Sequence, residues 1–202
     1  MTENDGERAE SSLPEEAQLL LTFDTLKDVE RQNPLAGNSR RERVGEHSWH
    51  LALSVPILAE FATEPIDIAR ATLIAIVHDL AECFVGDTFA FGPDVASQHD
   101  REHAAMRHLL ASSHSPAVKR IAELWNEYED QKSPEARFVK GMDAFLPILL
   151  NHTNIENSSW AEHGVQAAQV QKRLDRVRAS IGDLAEVCDR MIDDAKNGGQ
   201  LL

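Results

Sequence analysis

Apolar residues recur at helical spacing along most of the chain, and prolines, glycines and short polar runs interrupt them. The first pattern starts at Pro14, carries Leu19, Phe23, Leu26 and Val29 as its stripe, and runs out near Arg31-Gln32-Asn33-Pro34. A polar loop from Gly37 to Arg43 follows. The spacing then predicts a second helix from about Glu46, with His47, Leu51, Ser54, Val55 and Leu58 on one face; Pro56 should kink it or end it early. Glu64-Pro65 reads as a restart leading into Ala71–Val77, an apolar run too short to span a bilayer and suited to a buried core helix. Gly86 should end that helix, and Thr88 to Val95, with Phe89, Phe91 and Gly92-Pro93, should form a loop. Further helices are expected at about 97–111, from Ser115-Pro116 with Val118, Ile121, Leu124, Trp125 and Tyr128, and from Ser133-Pro134, where Pro147 should disturb the pattern. Beyond a polar segment at Asn151–Asn154, Val170, Leu174, Val177, Ile181, Leu184, Cys188 and Met191 form one long C-terminal amphipathic stripe.

Nothing in this pattern alternates with period two, and Gly and Pro number only 10 and 8, so the expectation is an all-α protein. With 202 residues and 42% hydrophobic content, one core and a single domain over residues 14–202 are expected, after a disordered tail at residues 1–13. The formal charge of −14 argues against nucleic-acid polymers and anionic membranes as partners, while a few arginines could still make a local pocket for a small anion. Cys83 and Cys188 are too few for a disulfide framework, and the polar N-terminus lacks the apolar core of a signal peptide, so a cytoplasmic location is expected.

The candidate chemistry lies where polar residues break apolar runs. His78, Asp79 and Glu82 arrive directly after Ala71–Val77, and on a continuous helix His78 and Glu82 would share a face with Asp79 beside them. Asp87 follows Gly86. Carboxylates in such surroundings are usually paired or bound to a cation, and an imidazole among them suits a divalent metal. Asp143 is a second such residue, inside Phe138–Leu150, where Lys140 is an alternative partner for it. His47, behind Glu46, is a third.

In order, His47, His78-Asp79 and Asp143 match the His…His-Asp…Asp pattern, and the chain resembles the HD-domain metal-dependent phosphohydrolase superfamily. Arg40–His47, His78–Asp87, Leu124–Glu129 and Glu135–Asp143 are similar to its YfbR-like 5′-deoxynucleotidase branch. Pro147–His152 and Ser158–Val165 resemble a bacterial sub-branch of HD-domain proteins known only as hydrolases. The resemblance implies a helical bundle in which His47, His78, Asp79 and Asp143 bind one divalent cation. Mn, Co, Fe, Ni, Mg and Zn all suit that mixed N/O shell. It also implies that Glu82 and Asp87 stand beside the reacting water, and that a homodimer is common.

The activity implied is hydrolysis of a nucleoside 5′-monophosphate, with a sugar phosphate, a nucleoside triphosphate, a cyclic nucleotide or a non-catalytic sensor as alternatives. In the deoxynucleotidase branch an Arg-Trp pair contacts the phosphate and crowds the sugar 2′ position. Here Arg31 takes that place but Gln32 follows it, and Arg40 is the second arginine expected to bind substrate. Trp160 and His163 either line the pocket or pack. His99, His103, His108 and His114 lie on a charge-rich stretch and read as mostly surface histidines, with a second metal as the alternative. The C-terminal stripe serves either intramolecular packing or a homodimer.

Overall fold

The computed structural model describes residues 13–37, 40–154 and 157–202, so the expected tail falls outside the described residues except for Leu13. Helix α1 (Glu15–Asp24) passes through a 3-10 turn at Thr25–Lys27 into strand β1 (Glu30–Pro34), which pairs antiparallel with β2 (Arg41–Arg43). Then come α2 (Val44–Leu58), a 3-10 turn at Ala59–Phe61, α3 (Ile68–Val77), α4 (Glu82–Val85), α5 (Val95–Ser112) and α6 (Pro116–Asp130). Helices α7 (Pro134–Thr153), α8 (Ser159–Glu162), α9 (Ala167–Ser180) and α10 (Gly182–Asn197) complete the described chain. The fold is all-α apart from the two-stranded ribbon: β2 lies in the expected polar loop, whereas β1 takes the end of the expected first helix, which stops at Asp24.

Most helix starts follow the sequence signals. Ser115 and Ser133 accept hydrogen bonds from the backbone N–H groups of Ala117 and Ala136, each followed by Pro at the first helical position. Pro65 is different: α3 starts later, capped by Asp67, whose side chain accepts from the Arg70 N–H. Pro56 lies near the end of α2, which gives way to a 3-10 turn after Leu58. Pro147 leaves α7 continuous, but it has no N–H to offer the Asp143 carbonyl one turn back.

Two apolar clusters form. The larger joins Leu51 and Val55 of α2, Ile74 of α3, Phe138, Met142 and Leu146 of α7, and the inner faces of α9 and α10. The smaller joins Leu26, Val44, Val77, Met106, Val118 and Trp125. His47 lies between Val44 and Leu51, and His78 directly follows Val77, so both rings stand at the seam between the clusters. The α3 run is buried on one face only, since Leu73 and Ile76 remain about half exposed. The expected single C-terminal helix is two, breaking at Ile181-Gly182. Val170, Leu174, Val177, Ile181 and Cys188 are all buried in the larger cluster, so this stripe packs within the chain.

Helices α7 and α9 approach closely at Gly141. A Cβ there would overlap the Ser180 hydroxyl and stand 2.9 Å from the Ser180 Cβ and 3.1 Å from the Arg176 carbonyl oxygen. Gly141→Ala gains about 1 kcal/mol of helix propensity. It loses about 1–3 kcal/mol to overpacking, and the upper end applies because backbone blocks the way. The expected net effect, about 2 kcal/mol, is a Tm lower by roughly 4–8 °C, read by calorimetry; an unchanged or raised Tm would mean the helices part without cost.

Candidate functional site

The local fold around His78 differs from a continuous helix in a way that makes the site. α3 ends at Val77, and tight bonds follow from the N–H groups of Leu80, Glu82 and Cys83 to the carbonyls of Val77, Asp79 and Leu80. Neighbouring positions of a regular helix point apart. Here Asp79 turns towards His78 instead, with Oδ2 3.0 Å from His78 Nε2. α4 then begins at Glu82 and ends at Gly86, whose φ of 75° an L side chain would strain, and Asp87 follows.

Three segments bring four donors together. His47 Nε2 is 3.2 Å from Asp143 Oδ1 and 3.9 Å from Asp79 Oδ2, and His78 Nε2 is 3.9 Å from Asp143 Oδ1. For bonds of about 2.1 Å, adjacent donors around one ion lie roughly 3.0–3.4 Å apart. The spacings of 3.0–3.9 Å between each imidazole and each carboxylate are close to those of a coordination shell, and His47, His78 and Asp79 offer donors that all lie within 4.8 Å of one another. His78 Nδ1 lies 2.8 Å from the Ala75 carbonyl and donates to it, so Nε2 is the ring nitrogen turned towards the carboxylates. That Nε2 is buried, 3.0 Å from Asp79 Oδ2, and makes no hydrogen bond among the described residues. The donor set, two imidazoles and two carboxylates, fits a divalent metal.

The electrostatics agree. Burial and the Arg31 guanidinium oppose a proton on His47, yet hydrogen bonds to Asp143 and Glu42 outweigh them and raise its pKa to about 9. Burial disfavours ionised Asp79, but His78 and Arg31 hold its carboxyl at about 2. Asp143 is likewise held well below the usual carboxylate range, burial being overcome by His47 and His78.

Glu82 is buried, and its Oε2 has no hydrogen-bond partner among the described residues. Burial, with Asp79 and Asp87 nearby, pushes its pKa well above the ordinary value; burial also raises Asp87. Arg31 ties this group together, with Nη1 3.0 Å from Asp79 and 3.8 Å from Asp87 and Nε 3.4 Å from Glu42. Arg40 does not join it. Its guanidinium is bidentate with Glu46 (2.5 and 2.8 Å), whose other bond comes from the Arg43 N–H, so Arg40 secures the start of α2 and is absent from the cavity wall.

Two residues that sequence reasoning passed over complete the site. Glu42 is buried with Oε2 3.5 Å from His47 Nδ1, the place of an outer-shell carboxylate that orients a ligand imidazole. Tyr128 donates its hydroxyl to Asp143 Oδ2 at 3.0 Å and packs edge-on against His78. In sequence Glu42 was one charge among several in a loop and Tyr128 one member of a core stripe, so neither signalled a role. Lys140 sits over the Tyr128 ring and makes no ion pair with Asp143.

A cavity of about 610 Å³ opens from this point. Arg31, Asp79, Glu82, Asp87 and Asp143 line one part of it, and Lys140, Lys172, Arg173 and Arg176 line another. Arg173 makes no ion pair among the described residues, and burial lowers its pKa. Phe89, Phe91 and Trp160 supply aromatic wall; Trp160 is also core, whereas His163 stays exposed and bonds Gln32. His108 and His114 are exposed, as expected.

The family model described as HD domain matches residues 23–184. A zebrafish (Danio rerio) protein named 5′-deoxynucleotidase HDDC2 is 35% identical over 129 residues, covering 63% of either chain. Its human counterpart is 34% identical over 134 residues, 65% of this chain and 64% of that protein. The matches thus span just under two thirds of these curated relatives. A crystal structure titled predicted metal-dependent phosphohydrolase, from Magnetospirillum magnetotacticum MS-1, superposes with a TM-score of 0.84 at 33% identity, over 92% of this chain and 93% of that one.

Proposed function

The chain belongs to the HD-domain family, and on that premise we propose that it is a divalent-metal-dependent phosphohydrolase acting on nucleoside 5′-monophosphates, deoxynucleotides among them. The observation that carries this reading is the convergence of two imidazole nitrogens and two carboxylates at one end of a cavity whose wall also holds Lys140, Lys172, Arg173 and Arg176, none of them in an ion pair among the described residues. The relatives named 5′-deoxynucleotidase support the substrate class.

When bound by His47, His78, Asp79 and Asp143, the cation supplies positive charge at the phosphoryl group and makes a nearby water more acidic. Glu82, a carboxylate with raised basicity and a free oxygen, takes the proton from the attacking water. Arg31 holds Asp79 and Asp87 in place and spreads positive charge over the phosphate's approach. Asp87 orients the water or the sugar. Lys140 and Arg173 meet the remaining negative charge of the phosphate, and Phe89, Phe91 and Trp160 give flat apolar faces for the base. Gln32 and Asn33 line the cavity beside Arg31, where the deoxynucleotidase branch has a Trp, so rejection of a ribose 2′-hydroxyl is expected to be weak.

We place the protein in the cytoplasm, supported by two free thiols and by the lack of any described helix long and apolar enough to cross a membrane. A homodimer forms part of the same reading; the exposed Trp49, Leu53 and Ile57 of α2 and Leu73 and Ile76 of α3 are the apolar side chains it would cover.

The test is phosphate release from a panel of deoxy- and ribonucleoside monophosphates, with sugar phosphates, triphosphates and cyclic nucleotides alongside, under each of Mn²⁺, Co²⁺, Mg²⁺ and Zn²⁺. Turnover of monophosphates, abolished by chelator and restored by metal, is the expected result. Folded protein that releases no phosphate with any metal contradicts it.

A further inference from the structure

We propose that His99 and His103 of α5 and Glu129 of α6 form a second divalent-cation site, distinct from the one built on His47, His78, Asp79 and Asp143. The proposal stands independently of the phosphohydrolase reading.

Residues four apart on a helix stand side by side, and the two rings lie 4.2 Å apart between centroids, inclined by 66°. Glu129 comes from the neighbouring helix to both of them. Its Oε2 is 3.0 Å from His99 Nδ1 and 3.7 Å from His103 Nε2, and the three donor atoms all fall within 4.8 Å of one another. Donors bound to one zinc-like ion at about 2.0–2.2 Å sit roughly 3.3–3.6 Å apart in a tetrahedral shell, so these side chains need only small adjustments to enclose one.

The state of His103 distinguishes this cluster from a surface ion pair. Its ring is fixed edge-on against Trp125, 4.7 Å between centroids, and its Nε2 is buried yet has no hydrogen-bond partner among the described residues. A His99–Glu129 contact alone leaves that nitrogen unsatisfied, whereas an ion bridging the three satisfies it. The Glu129 side chain is only 13% exposed, so its charge also gains from a nearby cation.

Two imidazoles and one carboxylate make a borderline donor set that suits Zn²⁺ and leaves at least one position open. His99 and Glu129 both line the large cavity, so the open position has access to whatever the cavity holds. None of the three residues is shared with the first site, so the two ions need no bridging ligand and should load separately. The His-x-x-x-His spacing is visible in the sequence; the third ligand arrives from another helix and is not.

Zn²⁺ binding to tag-free, chelator-stripped full-length chain, measured by competition against a chromophoric chelator, tests the proposal. Wild type should bind two ions. His99→Ala and His103→Ala should each bind one, with affinity at the second site falling by more than the roughly 10- to 100-fold that loss of an outer-shell partner costs. His78→Ala should keep the ion that His99→Ala loses. His99 is largely exposed, with 62% of its side chain accessible, so its replacement leaves the fold intact and its result does not depend on the survival of His103→Ala. A single ion in wild type that His78→Ala abolishes, or two ions undiminished by His99→Ala, would overturn the site.

Discussion

Asp143→Asn is expected to lower phosphate release by about three orders of magnitude and to remove the stabilisation that a divalent metal gives the wild-type protein. Asp143 Oδ1 faces the His47 and His78 imidazoles at 3.2 and 3.9 Å, while Oδ2 is held by the Tyr128 hydroxyl. The amide keeps the shape and loses the charge that completes the shell. A metal contributes several kcal/mol to a phosphoryl-transfer transition state, and each ~1.36 kcal/mol is tenfold in rate, which sets the expected loss. Binding linkage supplies a second readout. At a metal concentration about 100 times Kd, the folded state gains ~2.7 kcal/mol, so Mn²⁺ should raise the Tm of wild type and leave that of Asp143→Asn almost unmoved. Without metal, the variant should be less stable than wild type at neutral pH, because the Asp143 carboxylate is held ionised by His47 and His78 and that contribution goes with it. A variant that keeps both its turnover and its metal-dependent Tm shift would remove Asp143 from the site.

Glu82→Gln separates catalysis from metal binding. Glu82 is not among the four converging donors; it stands beside them, buried, with one oxygen unpartnered and its basicity raised by burial and by Asp79 and Asp87. Glutamine fills the same space and accepts a hydrogen bond, but it cannot take up a proton. Loss of a general base typically costs about 10²–10⁴-fold. The expected result is a kcat lower by that factor, KM changed little, and the Mn²⁺-dependent Tm rise retained in full. Near-wild-type kcat would show that Glu82 accepts no proton in the rate-limiting step, and a lost Tm shift would make it part of the metal shell.

The sequence exposed those parts of the molecule that violate its own apolar pattern. His78, Asp79 and Asp143 stand out because core runs reject them, and the structure brings them together with His47 at one seam. The helix break after Val77 left no such mark, because the apolar period continues into Leu80 and Ala81, which are also buried. The C-terminal stripe had the same ambiguity. Its period holds across Ile181-Gly182, so a hairpin of two helices reads as one.

The β1–β2 ribbon was hidden by its composition. Arg31, Gln32 and Asn33 have little strand propensity, and their pairing rests on tertiary context. Arg40 and Arg31 looked alike as phosphate ligands. Burial separates them, Arg31 being held among Asp79, Asp87 and Glu42 while Arg40 remains on the surface with Glu46. Glu42 and Tyr128 act through contacts with residues distant in sequence, which one-dimensional spacing does not encode.

The most direct test of the account is an anomalous difference map from crystals grown with Mn²⁺. A peak at roughly 2.0–2.3 Å from His47 Nε2, His78 Nε2, Asp79 Oδ2 and Asp143 Oδ1 is the predicted result. Well-ordered crystals with no peak among these four atoms, or with His47 or Asp143 turned away from the other three, would contradict it.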